Sequence, residues 1–259
     1  MDAITRAFAL DANLADAHSA LCENKMSYEW DFQGAERECR RAIALDPSSS
    51  LAHLTFSRYL NGRGRFDAAI AEVKTAIDLE PTSLFNQRNY GISLYYARRY
   101  AEAVTQFKRV IAMEKGFGST YNWIIVSLEM QGNHAEAFEW FMKARAVNYP
   151  DQLEITHAYQ NAYATAGWRG MLLEQIRRAE DAKAEAVRPE HKGNKQPPVY
   201  FQSAVLYAKA GNKEKAFEDL EQSFQRRESW MILLKVEPGL DSLRDDPRFD
   251  ALVRRVGLI

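Results

Sequence analysis

The side chains that could bind a metal or attack a substrate are few and scattered along this sequence. The five histidines are His18, His53, His134, His157 and His191, and none belongs to an H-E-x-x-H pair. C-x-x-C pairs and G-x-x-x-x-G-K-[ST] phosphate loops are also missing from the sequence. A protein zinc site needs three or four ligands at suitable spacing. We therefore predict no metal, no cofactor and no catalytic residue, and we expect that the chain is not an enzyme.

Two cysteines, Cys22 and Cys39, are the remaining reactive groups. A single pair does not make a disulfide framework, and the first residues do not read as a secretory signal. We therefore expect a cytoplasmic, reducing setting in which both side chains are buried thiols that pack near each other. A redox switch is the alternative.

The charge balance of the chain argues against two classes of partner. Its 259 residues include 34 Lys and Arg against 35 Asp and Glu, a formal net charge of -1. Without a basic field, we expect no direct binding of nucleic acid or of an anionic membrane surface. Apolar runs such as 123–126 and 231–234 are too short to cross a bilayer. Only 13 Gly and 8 Pro occur, which favours helices.

A repeat of 34 residues predicts the helices that would position any functional site. Small residues recur at this interval as Ala35, Ala69, Ala103 and Ala137. Four residues after each of them stands a larger residue: Cys39, Val73, Phe107 and Phe141. Two antiparallel helices need a small residue where they cross and a large apolar residue one turn later. The spacing therefore predicts stacked helix pairs.

This period and these offsets resemble the tetratricopeptide repeat. The resemblance implies an all-α, right-handed superhelix (an α-solenoid) of about six helix pairs, with a partial N-terminal repeat and a helical C-terminal cap. We predict a partial repeat helix over 1–14, four regular repeats over 15–149, a degenerate repeat over 150–187, a loop over 188–198, a repeat over 197–226 and the cap over 227–259. One extra residue in the first unit predicts a longer turn there, filled by aromatic residues around 28–32.

The first residues align with the end of a second repeat helix, since 7–12 match 42–47 at an offset of 35. We therefore expect the chain to be the C-terminal part of a longer protein; a lone capping helix is the alternative. The stretches 27–47, 95–111 and 229–258 resemble the repeat region of bacterial multidomain regulators. In those proteins the repeats follow a class III adenylate cyclase, a winged-helix DNA-binding domain or a Ser/Thr kinase, which implies a regulatory or docking role in signalling.

A partner is expected on the concave face, which the first helices of the repeats line. The inward positions that combine charge, amide and aromatic surface are predicted to form a partner-binding groove: Arg58, Asn61, Arg88, Tyr95, Tyr96, Asn122 and Glu129. Arg and Tyr are enriched at interfaces, so we expect a protein or peptide ligand that carries an acidic group. The carboxylate clamp of chaperone-binding relatives is not expected, because Leu54 and Ile92 stand where it needs Lys and Asn.

Two alternatives to the scaffold function stay open. The exposed face of the N-terminal helix predicts self-association, and therefore a homodimer, if that helix lacks its partner. An enzyme with an unrecognised site in the degenerate repeat is the other alternative. Clustered titratable groups in a pocket there would favour it.

Overall fold

The computed structural model describes residues 2–186 and 199–259, and within these ranges the chain forms helices and turns but no strand. The predicted loop over 188–198 lies outside the described residues. The α-helices are α1 (Asp2–Leu10), α2 (Ala15–Asn24), α3 (Phe32–Leu45), α4 (Ser50–Gly62), α5 (Phe66–Leu79), α6 (Leu84–Tyr96), α7 (Tyr100–Met113), α8 (Ser119–Met130), α9 (His134–Asn148), α10 (Leu153–Ala186), α11 (Tyr200–Lys209), α12 (Lys213–Gln225) and α13 (Pro247–Val256).

Successive helices pack as the predicted pairs: α2 with α3, α4 with α5, α6 with α7, α8 with α9, and α11 with α12. In the degenerate region, the long helix α10 is interrupted at Ala166 and Gly167, where the backbone angles are not helical. Gly167 has φ 59 and ψ -147, so the backbone leaves the helical region there. The break divides α10 into two helical segments on either side of Gly167. No helix in the described ranges combines the length and apolar character that crossing a bilayer needs.

The turn inside each regular repeat requires a left-handed backbone, again at intervals of 34 residues. The four residues concerned are Trp30 (φ 57), Gly64 (φ 72), Arg98 (φ 62) and Gly132 (φ 74). Glycine adopts this conformation freely, whereas a residue with a Cβ pays roughly 1–2 kcal/mol. Trp30 follows a π-helical turn over Lys25–Glu29, which confirms the longer aromatic turn predicted for the first repeat.

The turn between repeats is closed by a second periodic contact. A side chain near the start of each first helix hydrogen-bonds the carbonyl oxygen six residues earlier: His18 to Ala12 (3.2 Å), His53 to Pro47 (3.0 Å), Gln87 to Pro81 (3.0 Å) and Tyr121 to Lys115 (3.2 Å). The other ring nitrogen of His53 lies 2.7 Å from a carboxylate oxygen of Glu72. His18 and His53 therefore hold the turns that precede their helices.

The prediction of two free thiols is wrong in this structure, because Cys22 and Cys39 form a disulfide. Both residues are fully buried, so the expected proximity is correct. Cys22 belongs to α2 and Cys39 to α3, so the disulfide joins the two helices of the first repeat. The Cα atoms of the two cysteines are 5.3 Å apart, a separation within the range that a disulfide can bridge.

The C-terminal segment, residues 227–259, packs on the last repeat and also contacts the first three repeats. One hydrophobic core contains Phe32 and Phe56 from the N-terminal repeats together with Phe201, Leu240 and Leu258. This core joins residues about 200 positions apart. The superhelix is therefore closed by its own C-terminal segment.

Polar contacts secure the same closure. Arg63 donates to the carbonyl oxygen of Ile259 at 2.9 Å, and Arg227 donates to that of Glu29 at 2.9 Å. The guanidinium of Arg98 makes two hydrogen bonds to the Asp241 carboxylate, one of them 2.8 Å long. This paired geometry is the strong form of an Arg–carboxylate contact, and it raises the pKa of Arg98.

Candidate functional site

Two adjoining clefts lie between the first helices and the C-terminal segment. The large cleft, of about 940 Å³, is bounded by α8, α9, α10 and α11 and by Trp230 and Glu237. The small cleft, of about 590 Å³, lies between α2, α4 and α6 on one side and residues 229–233 on the other. Tyr96, Ser119, Trp123 and Trp230 line both clefts. The two therefore form one concave surface.

All seven residues of the predicted groove line this surface. Arg58, Asn61 and Arg88 line the small cleft, Tyr95, Asn122 and Glu129 line the large cleft, and Tyr96 lines both. The repeat pattern brings them together because inward positions of neighbouring first helices lie side by side.

Three of the seven, Asn61, Tyr95 and Glu129, are held by hydrogen bonds to other elements of the chain. The buried Asn61 amide donates to Ser93 Oγ at 2.8 Å. The Tyr95 hydroxyl, also buried, donates to Glu237 at 3.0 Å. The Glu129 carboxylate receives Trp168 Nε1 at 3.0 Å and Lys209 Nζ at 2.6 Å. These three side chains therefore shape the surface and position its other groups.

Arg88 differs because its charge has no anionic partner. Its guanidinium carbon lies 5.2 Å from the ring centroid of Phe85 and 4.9 Å from that of Phe117. One nitrogen donates to Ser119 Oγ at 2.6 Å, whereas Nε is buried without a hydrogen-bond partner. Burial lowers the pKa of Arg88, and the positive charge of Arg58 lowers it further. Among the described residues no carboxylate forms an ion pair with Arg88.

Arg58, the second cation of the small cleft, is already paired. It lies 3.0 Å from the Glu23 carboxylate, which also receives Ser27 Oγ at 2.9 Å. Arg88 therefore contributes most of the net positive charge of the small cleft.

The large cleft holds several charged groups, and most of them are paired. Lys209 bonds Glu129 at 2.6 Å, and Arg178 lies 2.8 Å from Glu174. Arg145 is buried and donates to Thr156 Oγ1 at 3.2 Å and to Gln152 Oε1 at 3.0 Å. Within the described ranges no group of three or more His, Cys, Asp or Glu side chains is arranged to hold a metal ion.

Sequence reasoning missed Glu237 and Trp230, which the C-terminal segment contributes to the large cleft. Glu237 is 9% exposed, and burial raises the pKa of its carboxyl group. The repeat pattern ends before residue 229, so it carries no signal for the place where these side chains lie.

Comparisons with known proteins agree with the helix pairs. Residues 91–152 and 197–229 match family models described as tetratricopeptide repeat. No curated protein matches the chain.

Among solved structures, a crystal structure of MamA is 21% identical with a TM-score of 0.47, and the match covers 57% of this chain and 85% of that one. PilF of Pseudomonas aeruginosa is 18% identical with a TM-score of 0.49, covering 82% and 91%. YrrB, described as a TPR protein with an unusual peptide-binding site, is 14% identical with a TM-score of 0.45, covering 98% of each chain. The two matched segments resemble tetratricopeptide repeats, and the packed helix pairs give the described residues an all-α superhelical fold of that kind.

Proposed function

We propose that this chain is a protein-interaction scaffold that holds a peptide or protein segment on the concave surface formed by the two clefts. The observation that carries the proposal is Arg88, a half-buried cation to which the described residues offer no counter-ion on that surface. Removing a charge from water is costly unless an opposite charge compensates it. An acidic side chain of a bound segment would supply that compensation.

The remainder of the surface suits a peptide. Exposed Asn122 offers amide hydrogen bonds, while Trp123 and Trp230 offer large apolar areas that line both clefts. Buried aromatic anchors and arginine supply most of the binding energy at typical interfaces. The tetratricopeptide fold and this mixture of groups together support recognition of an extended or helical segment.

The enzyme alternative requires free acid and base groups in the degenerate region. The large cleft does border that region, through Tyr159, Trp168 and Arg178 of α10. Because Lys209 is bonded to Glu129 and Arg178 to Glu174, these side chains act as ion pairs, and we propose a scaffold without catalytic activity.

The homodimer alternative depends on the apolar face of α1. The side chains of Ala7 and Phe8 lie outside the described residues, so self-association stays a prediction. Leu10, at the end of α1, is 90% exposed.

Charge reversal at Arg88 tests the scaffold proposal. Peptides selected on the protein from a random displayed library should be enriched in Asp or Glu. The variant Arg88→Glu should weaken binding of a selected peptide by about tenfold or more, because one charge-assisted contact contributes about 1.5–3 kcal/mol. Fluorescence anisotropy with labelled peptide measures the dissociation constants.

Arg109→Glu is the matched control, since Arg109 is an exposed arginine on α7 that lines neither cleft. It should leave the affinity unchanged to within about twofold. Equal losses in the two variants, or selected peptides without acidic residues, would contradict the proposal.

We further propose, from the sequence resemblance alone, that this scaffold is the regulatory or docking part of a larger bacterial signalling protein. An immunoblot of native cells with an antibody against this region should show a band well above the 29.6 kDa of this chain. A band at that mass would contradict this second proposal without affecting the first.

A further inference from the structure

Glu237 has one carboxylate oxygen engaged and one that is not. Its Oε1 accepts the Tyr95 hydroxyl at 3.0 Å and the backbone N–H of Gly239 at 3.0 Å. These bonds cap the short helix over Pro238–Leu243 and join it to α6. Among the described residues no hydrogen bond reaches Oε2, although Glu237 is 91% buried and lines the large cleft.

The aromatic side chain that contacts this carboxyl group, Tyr95, belongs to a cluster of three rings. Tyr95, which donates to it, lies 5.3 Å from the Tyr96 ring and 5.4 Å from the Trp123 ring, measured between centroids. Tyr96 and Trp123 are themselves 6.0 Å apart. All three rings and Glu237 line the large cleft, so the acid shares this cleft with aromatic side chains, whose ring faces attract cations.

No cation of the described residues forms a salt bridge with Glu237. The charge of Lys209 does act on Glu237, but its ammonium group is bonded to Glu129 at 2.6 Å. Arg244 approaches only the backbone carbonyl oxygen of Glu237, at 3.2 Å. Across the described ranges no lysine, arginine or histidine side chain forms an ion pair with the Glu237 carboxylate.

We infer that Glu237, with Tyr96 and Trp123, forms a subsite for a basic side chain of the bound segment. A guanidinium or ammonium group would face Oε2, and its hydrocarbon stem would pack on the rings. This inference rests on the proposed function and specifies it: the recognised segment carries a basic residue for the large cleft in addition to the acidic residue for Arg88.

The subsite should depend on pH. Burial raises the pKa of Glu237, and the negative charge of Asp241 raises it further, while Lys209 and the hydrogen bond from Tyr95 oppose the shift. Tyr96, the other titratable group of α6 here, stays neutral because burial raises its pKa. A bound cation favours the ionised carboxylate. Binding should therefore release a proton, and the affinity should rise as the pH rises through the pKa of Glu237.

A matched pair of small probes tests the subsite without any partner protein. N-acetyl-arginine methylamide and its citrulline analogue have nearly the same shape and differ in charge. In NMR titrations that follow the indole N–H signals of Trp123 and Trp230, the arginine probe should bind saturably and about tenfold more tightly than citrulline. Its affinity should increase from about pH 5 to about pH 8.

The variant Glu237→Gln should abolish this preference, because the amide oxygen still accepts from Tyr95 and Gly239 while the charge is gone. Asp181→Asn is the control, since it removes a carboxylate from the rim of the same cleft, where Asp181 pairs with Arg177. That variant should keep the preference for arginine.

Three results would overturn the inference: equal binding of the two probes, no saturable binding of arginine, or an undiminished preference in Glu237→Gln. The first two are read from the unmodified protein, so they do not depend on how well the variant folds. Because Arg88 plays no part in these titrations, a negative result together with Arg88-dependent peptide binding leaves the scaffold proposal intact. If instead the probes bind as expected but no peptide binds the unmodified protein, the result would count against the scaffold.

Discussion

Replacing Phe107 by alanine should lower the free energy of unfolding by about 3–5 kcal/mol. Phe107 is fully buried in α7, and its ring stacks on Trp123 with 6.1 Å between the centroids. Truncation removes both the buried area and the contact between the third and fourth repeats, and close packing leaves a cavity behind. Urea unfolding followed by circular dichroism measures the loss. Phe85→Ala is the control, because Phe85 is 57% exposed, and it should cost about 1 kcal/mol or less.

Gly91 provides a sharper version of the same experiment. A Cβ atom at position 91 would lie 2.4 Å from the Phe107 ring, so Gly91→Ala should destabilise the wild-type protein by about 1–3 kcal/mol. In the Phe107→Ala background the methyl group enters the vacated space, and the same substitution should be neutral or stabilising. An equal cost in the two backgrounds would show that α6 and α7 do not meet at this pair.

This contact could be predicted from the sequence because its determinants are local and periodic. Gly91 on the first helix of the third repeat stands 34 residues after the small Ser57, and Phe107 on its second helix stands 34 residues after Val73. The first repeat has Cys22 and Cys39 at these positions, and the spacing correctly placed them together. The prediction that both cysteines are free thiols was wrong. It was inferred from the expected compartment of the protein, and the spacing of residues carries no information on the compartment.

The composition of the site could be predicted only in part. Inward positions of first helices gave seven residues that all line the clefts, because helix geometry fixes which positions face inward. The contacts that engage Asn61 and Tyr95 come from neighbouring elements, and repeat spacing does not specify them. Glu237 was missed for the same reason, since it reaches the cleft through a segment outside the repeat.

The return of the C-terminal segment to the first repeats was not predicted, although one signal was present. Trp30 and Arg98 stand 34 residues from Gly64 and Gly132, in turns that need a left-handed backbone. A bulky residue at such a position carries strain that some other interaction must offset. Trp30 packs on Phe224, and Arg98 binds Asp241. In both cases the contact that offsets the strain is with the C-terminal third of the chain.

Trp30 should therefore control how strongly the two ends of the superhelix hold each other. Its ring centroid lies 5.4 Å from that of Phe224, and the Arg227 guanidinium lies 4.5 Å from it on the ring face. Trp30→Ala should lower the free energy of unfolding by about 2–4 kcal/mol, somewhat below the cost at a fully buried aromatic site because Trp30 is half-buried. Hydrogen exchange followed by mass spectrometry should show faster exchange in α2 and α3 and also in α11 and α12.

The position of the faster exchange decides whether the superhelix is closed. In an open solenoid each repeat senses only its neighbours, so Trp30→Ala would leave α11 and α12 as protected as before, and that result would contradict the closure. Trp140→Ala is the control, because Trp140 packs on Tyr121 and Lys143, and its effect should stay within α8 and α9. Trp30→Gly should be more stable than Trp30→Ala by about 1 kcal/mol, since glycine relieves the left-handed strain. Hydrogen exchange in α11 and α12 should nevertheless be as fast in Trp30→Gly as in Trp30→Ala, because both variants lack the indole ring on which the closure depends. The left-handed strain affects only the turn.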